Sequence, residues 1–179
     1  MGIFVTEGVS RMTSIFKEQL VKKESTSKDT LAKIGIIVAA IIIILLANVL
    51  IPTFGLFITV GIGYGAFWLF QRFDVEYEYI FTNGELDIDK IFNKSRRKKA
   101  LTVNVKQFEV MAHIEDPMHI HEWKRAQKVL DYSSGKTKEN TYGAIFTQEG
   151  QLVQLIFEPN GSILEGIGHY IPRQLHRKK

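Results

Sequence analysis

Three stretches of this sequence gather side chains suited to chemistry. The first holds His113, Glu115, Asp116, His119, His121 and Glu122. Imidazoles and carboxylates are the usual ligands of zinc and related ions, and His119 and His121, two apart, would face the same way on a strand. A closed site needs more ligands fixed by folding, and no H-E-x-x-H helix is present. The segment therefore reads as a solvated loop, with no metal and no cofactor expected. The second stretch, Ser134-Gly135-Lys136-Thr137, copies the end of a phosphate-binding loop. The glycine such a loop needs five positions earlier is Leu130 here, and strand-like sequence follows where a helix amino terminus should. A polar hairpin loop is the expectation. No G-x-S-x-G elbow or pair of carboxylates singles out a nucleophile or an acid–base couple, so no catalytic residue and no enzyme are expected.

The third stretch is basic. Lys94, Arg96, Arg97, Lys98 and Lys99 crowd around Ser95, and Arg173, His176, Arg177, Lys178 and Lys179 close the chain. Each cation near an anionic leaflet contributes about 1 kcal/mol, which makes the basic turn 94–99, with Arg173, the expected lipid or partner contact. Nucleic acid is not expected as a partner. From residue 74 onward 16 basic residues meet 15 acidic ones, too even a balance for a strong positive field.

The elements that position these groups follow from a very uneven composition. The chain has 179 residues with 23 Lys+Arg and 19 Asp+Glu, yet residues 34 to 71 carry no charge. Its mean hydropathy of −0.01 averages two unlike parts. Absence of cysteine excludes a disulfide scaffold, a thiolate metal site and a cysteine nucleophile. The uncharged stretch is too long for one membrane helix at about 1.5 Å per residue across a ~30 Å core. Pro52-Thr53-Phe54-Gly55 divides it, predicting two antiparallel transmembrane helices over 34–51 and 56–72. Arg11, Lys17, Lys22, Lys23, Lys28 and Lys33 precede the hairpin and Arg72 follows it, while its turn has no charge. The positive-inside rule places both termini in the cytoplasm. Asn48 is positioned to hydrogen-bond across the hairpin. Thr59-Val60-Gly61 and Gly63-Tyr64-Gly65 resemble a potassium filter string, but a hairpin lacks the surrounding helices. Gly61 and Gly65, four apart, suit close helix packing within the hairpin or between copies.

Ahead of the hairpin, Val5, Val9, Met12, Phe16 and Leu20 fall at helical spacing, predicting an amphipathic cytoplasmic segment and linker over 1–33. Ser27 or Asp29 is expected to cap the first membrane helix. Residues 74–179 form a cytoplasmic domain of strands. Val75–Thr82 and Glu85–Phe92 alternate about Asn83-Gly84, and Tyr142–Gln148 and Gln151–Glu158 about Glu149-Gly150. Ala100–Val105, Phe108–Ile114 and Gln127–Tyr132 are strand-like between them. Ser162 and Glu165 form a capping-box signature for a last helix, which Pro172 ends. Six or seven strands and one carboxy-terminal helix predict a mainly-β, PH-like barrel.

Several motifs make a family resemblance. Phe73–Tyr79, Gly84–Ile91, Lys94–Lys99, Asp131-Tyr-Ser-Ser-Gly135, Glu158-Pro159 and Pro172-Arg173 resemble an uncharacterised family of small bacterial two-span membrane proteins, a domain of unknown function. The resemblance covers about residues 16–175. Residues 1–15 look like an extension, and Asp116–Glu122 departs from the usual spacing. More distantly, the arrangement is similar to bacterial PH-like (YcxB-like) proteins. The resemblance implies a fold and a bacterial cell-membrane location, and no activity. The expected function is a membrane-anchored, non-enzymatic interaction module that contacts the lipid bilayer and binds its own copies or an unknown membrane protein. The alternative is binding of anionic lipid head groups at the inner leaflet.

Overall fold

The computed structural model describes residues 15–178. The chain runs β1 (Phe16–Lys22), α1 (Ser27–Leu50), α2 (Gly55–Phe70), β2 (Val75–Thr82), β3 (Glu85–Phe92), β4 (Arg96–Asn104) and β5 (Val110–His113). It continues through α3 (Ile120–Arg125), β6 (Lys128–Asp131), β7 (Tyr142–Gln148), β8 (Gln151–Phe157), α4 (Gly161–Tyr170) and β9 (Leu175–His176).

The amino-terminal expectation is corrected. Phe16 and Leu20 lie on a strand that pairs antiparallel with β2 over its whole length, while Val5, Val9 and Met12 fall outside the described residues. A strand's period of two puts Lys17, Gln19 and Val21 on the inner face, and only Val21 is buried. Pairing with a distant strand, rather than local apolar alternation, makes this element, so residues 16–22 belong to the β domain.

α1 begins at Ser27, before the uncharged run, because Thr26 caps it. The Thr26 hydroxyl accepts from the Asp29 N–H and the Asp29 carboxylate accepts from the Thr26 N–H at 3.0 Å. The cap is thus Thr26, with Asp29 as its reciprocal partner. A short 3-10 turn over Pro52–Phe54 reverses the chain into α2, and another over Gln71–Phe73 extends α2 toward β2. α1, and the span Pro52–Phe73 made of α2 with its two flanking turns, are long and apolar enough to cross a membrane, and no residue of α1 is buried by protein. Asn48 donates to Thr59 Oγ1 at 3.2 Å, the predicted bond across the hairpin. The close approach falls at Gly55, where an added Cβ would clash with the Asn48 side-chain amide. A Cβ at Gly61 or Gly65 would meet nothing within 4 Å, so neither packs against α1.

The domain is two sheets, not a closed barrel. One is antiparallel, ordered β1-β2-β3-β4; the other is mixed, ordered β6-β8-β7-β5-β9, with β6 parallel to β8 and β5 parallel to β9. Tyr79, Phe81, Leu86 and Ile88 of the first meet Phe146, Leu155 and Phe157 of the second, together with Ile163 and Ile167 of α4. The edge at β1 is joined by side chains where a barrel would continue its ladder. Gln19 donates to the Glu158 carbonyl at 2.9 Å and accepts from the Asn160 N–H at 2.7 Å. A single side chain takes both bonds, and the sheets stay separate.

The turns at Asn83-Gly84 and Glu149-Gly150 form as predicted, with positive φ at all four residues, the geometry that matches strand twist. A third such turn falls at Asn93-Lys94, with φ of 47° and 52°. α4 is capped by the Asn160 side chain, which accepts from the Ile163 N–H at 2.9 Å, rather than by Ser162.

Candidate functional site

The basic segment is mostly strand. Lys94 and Ser95 turn the chain, and Arg96 to Lys99 open β4. Alternation then divides the cations. Arg96 pairs in register with Phe92 and Lys98 with Lys90, on the face that carries the core, while Arg97 and Lys99 stand opposite Ile91 and Asp89 on the outer face.

The outer two are occupied. Arg97 reaches across β3 to Glu78, donating from Nη2 to Oε1 at 3.0 Å, with Nη1 2.8 Å from Oε2 at ion-pair distance. Burial holds the Glu78 carboxyl above the ordinary glutamate range, Glu18 beside it adds to the rise, and Arg97 opposes both. Lys99 lies 2.9 Å from Asp87, which also accepts from the Thr102 hydroxyl. Burial pushes Asp87 up, but Thr102 and Lys99 together hold it below the usual aspartate range.

Arg96 and Lys98 instead line a cavity of about 470 Å³ at the base of the hairpin. Trp68 and Arg72 of the α2 segment complete its wall with Phe92, Asn93 and Ser95. Four residues apart, Trp68 and Arg72 meet on one side of the helix, and the Arg72 guanidinium stacks 4.2 Å from the indole centroid. The Asn93 N–H donates to the Asp74 carbonyl at 2.9 Å, fixing the β3–β4 turn to the foot of α2. Among the described residues no carboxylate comes within ion-pair distance of Arg72, Arg96 or Lys98. Lys90, on the same face, is held below the usual lysine range by burial first, then by Lys23 and Lys98.

Lys94 is exposed on its turn and does not line this cavity. Arg173 is exposed between α4 and β9, and the structure does not bring it to Arg96 and Lys98. Trp68 and Arg72, at i, i+4 beside the end of the apolar stretch, carry a sequence signal for this wall, whereas Phe92 reaches it only through the fold.

The other two stretches have structural work. His113 is buried at the end of β5, with Nε2 2.9 Å from the Lys138 carbonyl and Nδ1 accepting from the Glu115 N–H at 3.3 Å. The stretch expected to be a solvated loop instead contains α3: His119 precedes that helix and His121 lies within it, so the two share no strand face. His119 bonds Asp116 at 3.2 Å and packs on His176, with ring centroids 4.4 Å apart. Among the described residues no three His, Asp or Glu gather to hold a metal ion. Ser134 is fully buried, and Lys136 pairs with Glu24 at 2.6 Å.

Two sheets and a carboxy-terminal helix around one core, with an apolar helical hairpin set between the first two strands, define a PH-like domain carried on two membrane-length helices. The chain belongs to a bacterial PH-like domain family, DUF6106, whose model matches residues 13–177. The matched stretch takes in β1, both hairpin helices and α4. No curated protein and no solved structure matches the chain.

Proposed function

We propose that this chain is a membrane-anchored, non-enzymatic interaction module. Its hairpin spans a bacterial cell membrane, both termini are cytoplasmic, and the β domain is held against the inner face. The observation that carries this reading is the clamp at the hairpin's open end. β1 leads into α1 and α2 into β2, and the strands pair directly: the Lys23 N–H donates to the Val75 carbonyl at 3.0 Å, and Lys22 meets Asp74 at 3.3 Å. A domain fixed to both helices has no long tether with which to search the cytoplasm. What it can engage lies in or on the membrane.

The buried polar groups support a structural rather than a catalytic role. Glu78 is committed to Arg97, Glu158 to Ser134 and Lys138, and His113 to a backbone carbonyl. On the hairpin, the open surface at Gly61 and Gly65 favours self-association, since small residues admit a second helix closely and neither is used within the chain. Crosslinking in native membranes, with products identified by mass spectrometry, tests this. A dimer-sized product joined through α2 and lost in Gly61→Leu is expected. Monomer alone, unchanged by Gly61→Leu, would contradict the self-association.

A further inference from the structure

We propose that the cavity between the foot of α2 and the β3–β4 turn binds the head-group phosphate of an anionic phospholipid of the inner leaflet. Arg72, Arg96 and Lys98 hold the phosphate beside Trp68. The inference rests on the membrane placement proposed above and gives that placement a ligand.

The division of the basic segment carries it. Five cations in sequence would make an undirected positive loop, but the fold neutralises Arg97 and Lys99 with carboxylates on the outer face and leaves Arg96 and Lys98 facing the cavity. Arg72 joins them from a different element, its guanidinium plane set by stacking on Trp68. Three cations from two elements, without an acid among them, leave a concave positive potential that an anion satisfies. Guanidinium groups suit phosphate because their planar donors match two of its oxygens at once. Lys90, paired in register with Lys98 on the same face, adds to the same field.

The cavity's apolar wall selects among phosphates. Trp68 and Phe92 line it beside the cations, with Asn93 and Ser95 supplying polar groups. Inorganic phosphate gains nothing from an indole and a phenyl ring. A phospholipid presents a phosphate next to glycerol and acyl carbons, which matches this pairing. Trp68 also sits near the end of an apolar helix, the level at which tryptophan meets head groups in a bilayer.

The test uses the full chain, released from membranes in mild detergent and observed by native mass spectrometry with added lipid. Phosphatidylglycerol, phosphatidylcholine with the same acyl chains, and inorganic phosphate are the three probes. Saturable binding of phosphatidylglycerol, weak binding of phosphatidylcholine and no competition by millimolar phosphate are expected. Neutralisation should weaken phosphatidylglycerol binding about fivefold for each cavity charge, or about 25-fold in R96Q/K98Q. Lys99→Gln removes the same charge one residue away on the other face, and should change binding less than twofold. If circular dichroism shows R96Q/K98Q unfolded, Arg72→Gln, outside the sheets, takes its place with about a fivefold loss. Equal losses in Lys99→Gln and the cavity variants, equal binding of phosphatidylcholine, or displacement by inorganic phosphate would each overturn the assignment. Alkaline carbonate washing separates the two readings. A chain that stays in the membrane pellet but binds no phosphatidylglycerol contradicts this site alone, whereas a chain that washes out contradicts the membrane placement beneath it.

Discussion

Glu158→Ala is expected to destabilise the domain by about 3 kcal/mol, because it orphans a buried donor set rather than merely deleting a charge. Glu158 Oε1 accepts from the Ser134 N–H at 2.9 Å and the Ser134 hydroxyl at 2.6 Å, and Ser134 is wholly inside. Oε2 lies 3.4 Å from Lys138 Nζ. The backbone of the same residue bonds the Tyr79 hydroxyl through its N–H, and its carbonyl accepts from Gln19 of β1. One residue therefore joins the 131–135 loop, β2 and β1. For a chain of this length the loss corresponds to a fall in Tm of about 6–12 °C, read by near-ultraviolet circular dichroism in detergent. Glu158→Gln keeps one acceptor for Ser134 and should cost about 1 kcal/mol. Equal losses in the two variants would contradict this role. The effect should also reach the hairpin, since the Glu24 N–H donates to the Ser134 carbonyl at 2.8 Å just before α1. Faster amide exchange at Glu24 is the expected signature.

Arg97→Gln should produce the second large loss, with a pH dependence of definite sign. The Glu78 side chain is 3% exposed and Arg97 56% exposed. Removing the arginine leaves a nearly buried carboxylate without its counter-charge. A fully buried pair would cost about 3–5 kcal/mol on losing one partner, and the half-exposed arginine lowers the expectation to about 2–3 kcal/mol at neutral pH. Glu78 already sits above its ordinary range, through burial and then Glu18. A carboxyl raised in the folded state binds its proton more tightly there than when unfolded. Its favourable contribution is therefore complete below the ordinary glutamate range and disappears as pH rises through the raised value. Without Arg97 the rise is larger, so acidification should restore more of the lost stability in Arg97→Gln than in the parent chain. The double variant R97Q/E78Q should recover stability at neutral pH and lose this dependence. Urea unfolding at several pH values checks both. A variant whose deficit does not shrink toward low pH would contradict the account of the pair.

The apolar hairpin, the strand pairs about Asn83-Gly84 and Glu149-Gly150, and the last helix were all legible, because each rests on a local signal: a run without charge, period-two alternation, a turn dipeptide. β1 was not legible. Phe16 and Leu20 have helical spacing, and the inner face of the strand is Lys17, Gln19 and Val21, which shows no apolar alternation. Its existence depends on β2, more than fifty residues away. α3 was hidden for a similar reason: six residues held by packing of Trp123 against Gly143 leave little pattern of their own. The basic segment was legible as a cluster, yet treating it as a turn concealed its division. Once Arg96 to Lys99 are strand, alternate residues part company, and only pairing with β3 shows which face receives carboxylates. Asp131–Gly135 and Glu158 stood out as family marks, and their meeting around Ser134 explains the pairing structurally.

A hairpin that crosses the membrane with the β domain on the cytoplasmic side can be tested directly, because the chain has no cysteine. Thr53→Cys places a thiol on the exposed turn of the hairpin, and Ser162→Cys places one on the exposed start of α4. Each is labelled with a membrane-impermeant maleimide in intact spheroplasts and in inverted vesicles. Thr53→Cys is expected to react only in spheroplasts and Ser162→Cys only in inverted vesicles. Labelling of both thiols from the same side would contradict it.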